Sequence, residues 1–369
     1  MEGRVARFDV LVVGAGFAGS VIAERLASQQ GKRVLVVDRR NHVGGNAYDE
    51  YDDNGILVHR YGPHLFHTND MQVVQYLSQF TEWRPYEHRV LAEHEGELFP
   101  IPINRTTLNR FFGVSLRTDE EARRFLESRR IARTEIMNSE DVVVSQVGRE
   151  LFEAFYRGYT RKQWNREPSE LSPGVCGRIP VRYSLDDRYF TDRFQAVPLH
   201  GYAEMFERML SHTNVEVQLG VDASDVMQQE SFERLVWTGP IDEYFDYIHG
   251  HLPYRSIRFE HQTLNVECAQ PVAQINYSDH SVEYTRVCEW KHITGQQHEK
   301  TVLTREYPSS TGEPFYPIPS DHTQRLYRAY VAEARTMKNV TFAGRLAEYR
   351  YYNMDQVTAR WLRNVHMMS

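Results

Sequence analysis

Phe8-Asp9-Val10-Leu11-Val12-Val13-Gly14-Ala15-Gly16-Phe17-Ala18-Gly19 is the stretch that decides the fold of this chain. Phe8 to Val13 is a short apolar run rich in Val and Leu, and it reads as a buried strand. Three glycines follow, and a helix is expected from Ser20 to Ser28 with Val21, Ile22, Leu26 and Ala27 as its apolar positions. A second strand is expected from Arg33 to Val37, closing on Asp38. Strand, glycines, helix, strand and terminal acid together describe a βαβ unit that holds the ADP half of a dinucleotide. Gly14 permits the tight turn out of the strand, Gly16 lets the backbone approach a pyrophosphate, and Gly19 lets the helix pack closely on the sheet. The helix start then offers unpaired N–H groups and a positive dipole end to the phosphates. Asp38, 19 residues after the last glycine, would accept hydrogen bonds from a ribose diol. A carboxylate there disfavours a 2′-phosphate, so NADP is not expected at this site.

The segment directly after the acid separates FAD from NAD. Arg39-Arg40-Asn41-His42-Val43-Gly44-Gly45-Asn46 places a basic residue and a Gly-Gly turn behind the second strand. This resembles the second dinucleotide motif of glutathione-reductase-type and amine-oxidase-type flavoproteins, where the glycines admit the cofactor diphosphate. FAD is therefore the expected cofactor. Tyr61-Gly62-Pro63-His64-Leu65-Phe66-His67-Thr68 is turn-rich and carries two histidines three apart. It reads either as a loop with surface histidines or as a segment lying over the flavin ring.

Farther along, Arg89 to Pro102 reads as a β-hairpin turning at Glu95-Gly96-Glu97. From Asn104 to Tyr159 the pattern turns helical, with Thr118 and the acids after it as a helix start and Val143, Val147, Leu151 and Phe155 at helical spacing. A helix over Tyr202 to Leu210 and a strand at Val215 to Leu219 follow, then a buried strand at Leu235 to Trp237 ending in Gly239-Pro240. Residues 254–307 alternate like antiparallel sheet, in Ser256 to His261, Val272 to Tyr277 and Tyr284 to Trp290. Val340 to Arg345 is a last strand and glycine turn, and a helix from about Met354 to Met367 closes the dinucleotide unit.

The expected fold is therefore α/β: a Rossmann-like FAD-binding domain of the glutathione-reductase type, with an inserted helical domain and an antiparallel β-sheet substrate domain. The FAD domain is expected to be discontinuous, over 1–85, 195–245 and 320–369. The helical domain spans 104–170, and the sheet domain 86–103, 171–194 and 246–319. The chain has 369 residues, enough for more than one domain, and 25% charged residues, which suits a globular enzyme. Its net charge of −7 leaves no global basic field for nucleic acid. Cys176, Cys268 and Cys288 show no Cys-x-x-Cys spacing and read as reduced thiols, with no metal site expected. No apolar run reaches the length of a membrane span, and Met1 to Arg7 runs straight into the first strand rather than reading as a cleaved leader. A cytoplasmic protein is expected.

Several motifs mix Arg with Tyr or Trp beside Gly and Pro turns. They are Gly158-Tyr159-Thr160-Arg161-Lys162-Gln163-Trp164, Arg178-Ile179-Pro180-Val181-Arg182-Tyr183, Tyr284-Thr285-Arg286, Glu313-Pro314-Phe315-Tyr316-Pro317 and Gly344-Arg345 to Tyr351-Tyr352-Asn353. Aromatic faces stack on bases, and guanidinium forks hold phosphate oxygens, so together they suit a nucleotide diphosphate carrying a sugar. Taken singly, each Arg could be a solvated surface charge and each Tyr a core or rim residue.

With these strings, and with Tyr244-Phe245-Asp246-Tyr247 and Tyr254-Arg255-Ser256, the chain resembles prokaryotic UDP-galactopyranose mutases along nearly its whole length. The resemblance implies an isomerase that interconverts UDP-galactopyranose and UDP-galactofuranose without net redox change, for cell-surface polysaccharide. It implies reduced FAD and a covalent adduct of the sugar anomeric carbon with flavin N5, after which the sugar recloses through O4 instead of O5. It also implies a reductant, NAD(P)H, and a homodimer or higher homo-oligomer. Residue by residue, Arg178 and Arg286 match the arginines that grip the diphosphate, with Arg178 on a loop near Trp164 that reads as a mobile lid. Tyr189, Tyr316 and Tyr351 match tyrosines that hydrogen-bond it. Tyr159 matches the uracil-stacking residue, Asn276 a polar contact on the nucleotide side, and Trp164 the lining of the sugar site. His67 matches a histidine by the flavin, and Arg345 an arginine near flavin and substrate. Gly14, Gly16, Phe17, Gly19, Asp38, Arg39, Gly45, Asn46, His64, Arg345, Tyr352 and Met354 are the expected cofactor residues. Arg178, Arg286, His67 and Arg345 are the expected catalytic ones. One departure is Asn353, where many members carry Asp.

On the N-terminal motifs alone, an ordinary FAD oxidoreductase acting on an amine or an apolar substrate stays open. It would have no use for diphosphate forks. A non-catalytic protein on the same fold, of the Rab escort and dissociation-inhibitor kind, also stays open and would bind no flavin tightly.

Overall fold

A computed structural model describes residues 6–318 and 320–368; the reading of the first five residues lies outside it. Its first element is β1 (Phe8–Val13), followed by α1 (Phe17–Gln30) and β2 (Val34–Asp38). The helix starts three residues earlier than the sequence suggested. Phe17, Ala18 and Gly19 look like turn residues but form its first turn, buried against the sheet.

β1 pairs in parallel with β2 on one side and with Phe232–Trp237 on the other. Val215–Leu219 and Val340–Phe342 complete a five-stranded parallel sheet drawn from both ends and the middle of the chain. Parallel strands buried on both faces need continuous apolar runs, and β2 (Val34–Asp38) is buried at every position but its last. One face packs on α1 and the C-terminal helix Met354–Asn364, through Ile22, Leu26, Val357 and Trp361. The other face packs on Ala223–Gln229 through Leu11, Leu35, Val37 and Val226.

A seven-stranded sheet forms the second layer. Its order is Tyr316–Pro317, Tyr254–Leu264, Thr301–Ser309, Arg286–Glu289, Gln274–Tyr277, Val90–His94, Glu97–Ile101. It is antiparallel except for one pair: Gln274–Tyr277 runs parallel to Val90–His94. The expectation of a wholly antiparallel sheet is corrected at that seam. The hairpin arrives from a distant part of the chain, so no tight turn dictates its direction. The histidine segment is likewise not all loop. Phe66–Thr68 is a short strand between turn and helix, paired with Phe194–Pro198.

The helical block caps the hairpin end of this sheet. Asn104 and Thr118 begin its first two helices with capping boxes, each pairing with the residue at the third helical position, Thr107 and Glu121. After Ser139–Leu151 the chain widens into a π-helical turn over Phe152–Arg157 before Gly158–Trp164. Gly158 sits against the sheet so tightly that a Cβ there would lie 2.2 Å from the Ser278 carbonyl oxygen. That contact delivers Tyr159 and Trp164 to the sheet surface.

Candidate functional site

A cavity of about 710 Å³ opens at the carboxyl ends of the parallel strands, where this fold class binds its ligands. Every residue read as cofactor-binding lines it except Gly19. Gly19 packs behind the turn, where an added Cβ would fall 1.9 Å from the Gly14 carbonyl oxygen. Thr238, Pro240, Val221 and Leu346 also line the cavity. Thr238 and Pro240 belong to the Gly-Pro turn expected to lie near a ligand and Leu346 to the last glycine turn, whereas Val221 carries no motif and is brought there by strand pairing alone.

The donor set fits a dinucleotide diphosphate. Gly16 caps α1 without any side-chain bond, and no acid occupies the first turn, so the first N–H groups remain for an anion. Gly14 turns at φ +104°, a conformation side chains rarely adopt. A Cβ on Gly45 would lie 2.9 Å from Gly16 Cα, so the two glycine turns meet as bare backbone. Asp38 Oδ2 accepts from Ala15 N–H at 2.9 Å and Oδ1 from Arg40 N–H at 2.9 Å. Each oxygen keeps a second lone pair for a ribose hydroxyl. Arg39 is half-exposed and 3.7 Å from Glu243. Arg40 turns inward, its guanidinium 4.2 Å from the Tyr61 ring centre and bonded to Asn46 Oδ1 at 3.0 Å. It braces the Gly-Gly turn.

A second cleft of about 510 Å³ adjoins the first, and His64, Arg345 and Met354 line both. It contains Tyr159, Trp164, Arg178, Tyr189, Asn276, Arg286, Tyr316, Tyr351 and Asn353, together with His67. Residues as far apart in sequence as His67 and Asn353 thus face one space. Arg286 and Asn276 face one another across paired strands. Arg345 lies 5.1 Å from both the Tyr316 and Tyr351 ring centres, Arg178 lies 4.8 Å from Tyr351, and the two rings stack at 5.6 Å.

Only one of the three arginines has a carboxylate partner among the described residues. Arg286 Nε donates to Glu306 Oε2 at 2.6 Å, and the Glu306 side chain is 1% exposed. Burial works against the Arg286 charge, but Glu306 together with Tyr159 and Tyr316 outweighs it, and the guanidinium is raised well above its ordinary value. Glu306 Oε1 is buried and unpaired among the described residues. Arg345 is held by the carbonyls of Tyr352 at 2.7 Å and Phe315 at 3.4 Å, which fix its direction and leave its charge unspent. The cleft therefore carries an excess of positive charge beside aromatic faces. Trp164 is buried at the end of the helix Gly158–Trp164, and Arg178, read as lying on a loop near it, directly follows the short helix Gly174–Gly177. The Trp164 helix is tied to the sheet by Arg255 Nε donating to Gln163 O at 2.8 Å, and by Lys162 Nζ donating to the carbonyls of Asp279 and Tyr284.

Sequence reasoning missed the residues behind these side chains. His67 Nδ1 contacts Asp192 Oδ2 at 2.8 Å and its ring stacks on Phe190 at 3.7 Å. Asp192, accepting from Nδ1–H, fixes the orientation of the ring. His88 is buried in the cleft floor and pushed down to about 3, by burial and then by Arg286 against the pull of Gln274. His64 is pushed down to about 4, by burial and then by Arg345 and Arg286. Both imidazoles are neutral at pH 7.

A pH dependence follows from these two histidines. In the unfolded chain they take up protons near 6.5, in the folded chain only near 4 and 3. Between those values the unfolded state binds more protons, so their stabilisation is complete above about pH 6.5 and is lost as pH falls toward the folded values. For His88 the slope is about 1.4 kcal/mol per pH unit. Melting temperature is expected to fall between pH 6.5 and 4.5, less steeply in His88→Gln. Equal slopes in the two proteins would contradict it.

Comparison with known proteins gives matches over nearly the whole chain. A family model described as UDP-galactopyranose mutase matches residues 154–351, and one for an NAD(P)-binding Rossmann-like domain matches residues 12–80. A Klebsiella pneumoniae protein named "Probable UDP-galactopyranose mutase" is 39% identical over 96% of this chain and 93% of its own length. An Escherichia coli dTDP-fucopyranose mutase is 36% identical over 94% of each. A crystal structure of a reduced UDP-galactopyranose mutase superposes with a TM-score of 0.78 at 16% identity, over 97% of this chain and 94% of that one. The last shows the shared fold.

Proposed function

This chain belongs to the UDP-galactopyranose mutase family, and from that premise we propose that it interconverts UDP-galactopyranose and UDP-galactofuranose with reduced FAD as cofactor. The observation that carries the reading is the cleft of three arginines and five tyrosines beside the dinucleotide cavity, in which Glu306 is the one carboxylate paired with any of those arginines among the described residues. An amine or apolar substrate would leave those guanidinium groups uncompensated.

Reduced FAD, when bound, supplies a nucleophilic N5 for covalent catalysis at the sugar anomeric carbon. The chain's own residues do the rest. Arg178 and Arg286 hold the diphosphate and offset the charge that develops as it leaves. Tyr159 offers its ring to the base. Tyr189, Tyr316 and Tyr351 donate to phosphate oxygens. Trp164, buried over the sugar side, excludes water. Arg345, shared by both cavities, and His64, neutral beside it, stand where cofactor and sugar meet. His67, oriented by Asp192 through Nδ1, is the group proposed to move a proton at Nε2. NAD(P)H is the proposed source of electrons, and three unpaired thiols suit a reducing, cytoplasmic setting.

The decisive experiment incubates UDP-galactofuranose, and in parallel dTDP-fucofuranose, with protein whose FAD is oxidised or dithionite-reduced, followed by chromatography. Conversion to UDP-galactopyranose with reduced flavin alone supports the proposal. Conversion of the dTDP sugar alone would keep the mutase chemistry and replace the substrate. No conversion in either state, with FAD confirmed by its spectrum, would overturn both.

Asn353 is the residue to vary for affinity. It begins the helix Met354–Asn364, and its N–H donates to Gln356 Oε1 at 3.1 Å. Asp serves equally well at a helix start, so Asn353→Asp should fold normally. It adds a negative charge to the diphosphate cleft, which costs about 1 kcal/mol, or roughly fivefold in nucleotide-sugar affinity. Turnover should persist; its abolition, or unchanged affinity by titration calorimetry, would count against this assignment of the cleft.

A further inference from the structure

At the end of the strand Arg286–Glu289 remote from the cleft, three side chains of different chemistry meet. Cys268 comes from the loop at 265–273, Glu289 ends the strand, and His292 lies on the short helix Trp290–Thr294 that follows. Cys268 Sγ is 3.6 Å from His292 Nε2 and 3.8 Å from Glu289 Oε2, and those two are 3.3 Å apart. The carbonyl oxygen of Gln270 completes the group, 3.0 Å from the sulfur and 2.9 Å from Nε2. Ligand atoms of a tetrahedral zinc ion, with bonds of about 2.3 Å to sulfur and about 2.0 Å to nitrogen and oxygen, lie roughly 3.3–3.6 Å from one another. Among the described residues, this is the one group of three or more side chains with that convergence.

We propose that Cys268, Glu289 and His292, with the Gln270 carbonyl, form a structural Zn²⁺ site. Thiolate and imidazole together select zinc over the hard cations magnesium and calcium. Thiolate and carboxylate balance the two positive charges, and the carbonyl closes the fourth position, which marks a structural rather than a catalytic site. The carboxylate is held in place beforehand. Thr301 Oγ1–H donates to Glu289 Oε1 at 2.6 Å and Ala269 N–H at 3.0 Å, while Gln270 N–H donates to Oε2 at 2.7 Å. Ligating carboxylates are fixed in this manner by neighbouring donors. The ion ties the loop to the strand that carries Arg286 at its other end. Cysteine spacing alone could not disclose the site, because a single sulfur from one loop and a carboxylate and imidazole three residues apart on another stretch make no Cys-x-x-Cys pattern.

The test uses the intact flavoprotein purified without chelator. Elemental analysis is expected to find about one zinc per chain, and only traces in Cys268→Ser and His292→Ala, both with unchanged flavin absorbance as a sign of intact folding. Of the three cysteines, Cys268 is exposed and the others buried, so a thiol reagent reads it alone. It should react slowly until zinc is stripped by a chelator. Replacement by Co²⁺ should give a thiolate charge-transfer band that Cys268→Ser lacks. Trace zinc in the wild type, no cobalt band and an immediately reactive thiol would overturn the proposal.

Discussion

Arg286→Ala is expected to lower kcat by on the order of 10²- to 10³-fold, the effect of deleting one preorganised donor at a site of developing negative charge. The same substitution strands Glu306, whose side chain is 1% exposed and whose second oxygen already has no partner among the described residues. Breaking a buried pair from one side costs about 3–5 kcal/mol, because a charge remains without compensation. Lost activity could then merely report lost folding. The double variant Arg286→Ala/Glu306→Gln separates the two effects. Removing the stranded charge should restore most of the melting temperature and none of the turnover. Arg286→Lys should recover stability in part but not rate, since an ammonium cannot reproduce the fork that spans carboxylate and phosphate. Steady-state kinetics and thermal melts on the four proteins decide the matter. If the double variant regains turnover along with stability, Arg286 is a folding residue and not a catalytic one.

Gly19→Ala is the second large effect, and it acts through backbone alone. The new methyl would sit 1.9 Å from the Gly14 carbonyl oxygen and 3.1 Å from the Val12 side chain. No rotamer relieves a clash of Cβ with backbone, so α1 must lift from β1 and carry the helix start away from the diphosphate position. Purified Gly19→Ala is expected to hold little FAD, read from the ratio of flavin to protein absorbance. Gly31→Ala is the control. Gly31 ends the same helix at φ +64° with nothing within 4 Å of an added Cβ, so only conformational strain of about 1 kcal/mol is imposed. That variant should keep its flavin. A Gly19→Ala protein with full FAD would remove the geometric basis for the cofactor site.

What could be read from the sequence was what is written locally. The βαβ unit follows from one apolar run, three glycines and one acid within 31 residues, from Phe8 to Asp38. Arg178, Arg286 and Arg345 stood out because each lies in a motif that mixes charge, aromatic rings and turn residues. Their partners did not. Glu306 faces Arg286 only because those two residues pair across neighbouring strands, and strand register has no local signature at that point. Asp192 reaches His67 across 125 residues of chain, and His88 enters the cleft floor from the stretch just before a hairpin that read as ordinary scaffold. The parallel seam between Gln274–Tyr277 and Val90–His94 was hidden for the same reason, since periodicity gives a strand its face but not its neighbour.

The five-stranded sheet sets an order of events during synthesis. β1 and β2 leave the ribosome before the other three strands, yet β1 lacks its second neighbour until residues 232–237 have been made, and that neighbour is covered only by residues 340–342. Until then the nascent chain carries an apolar parallel strand with an open edge, the feature that recruits foreign strands. The helix Met354–Asn364, which packs against α1 and lines the dinucleotide cavity through Met354 and Val357, comes later still. Closing the wall of that cavity therefore waits for residues far from the turn it serves, and a ribosome that stalls before residue 354 leaves a product with its glycine turn in place and one side of the cavity missing.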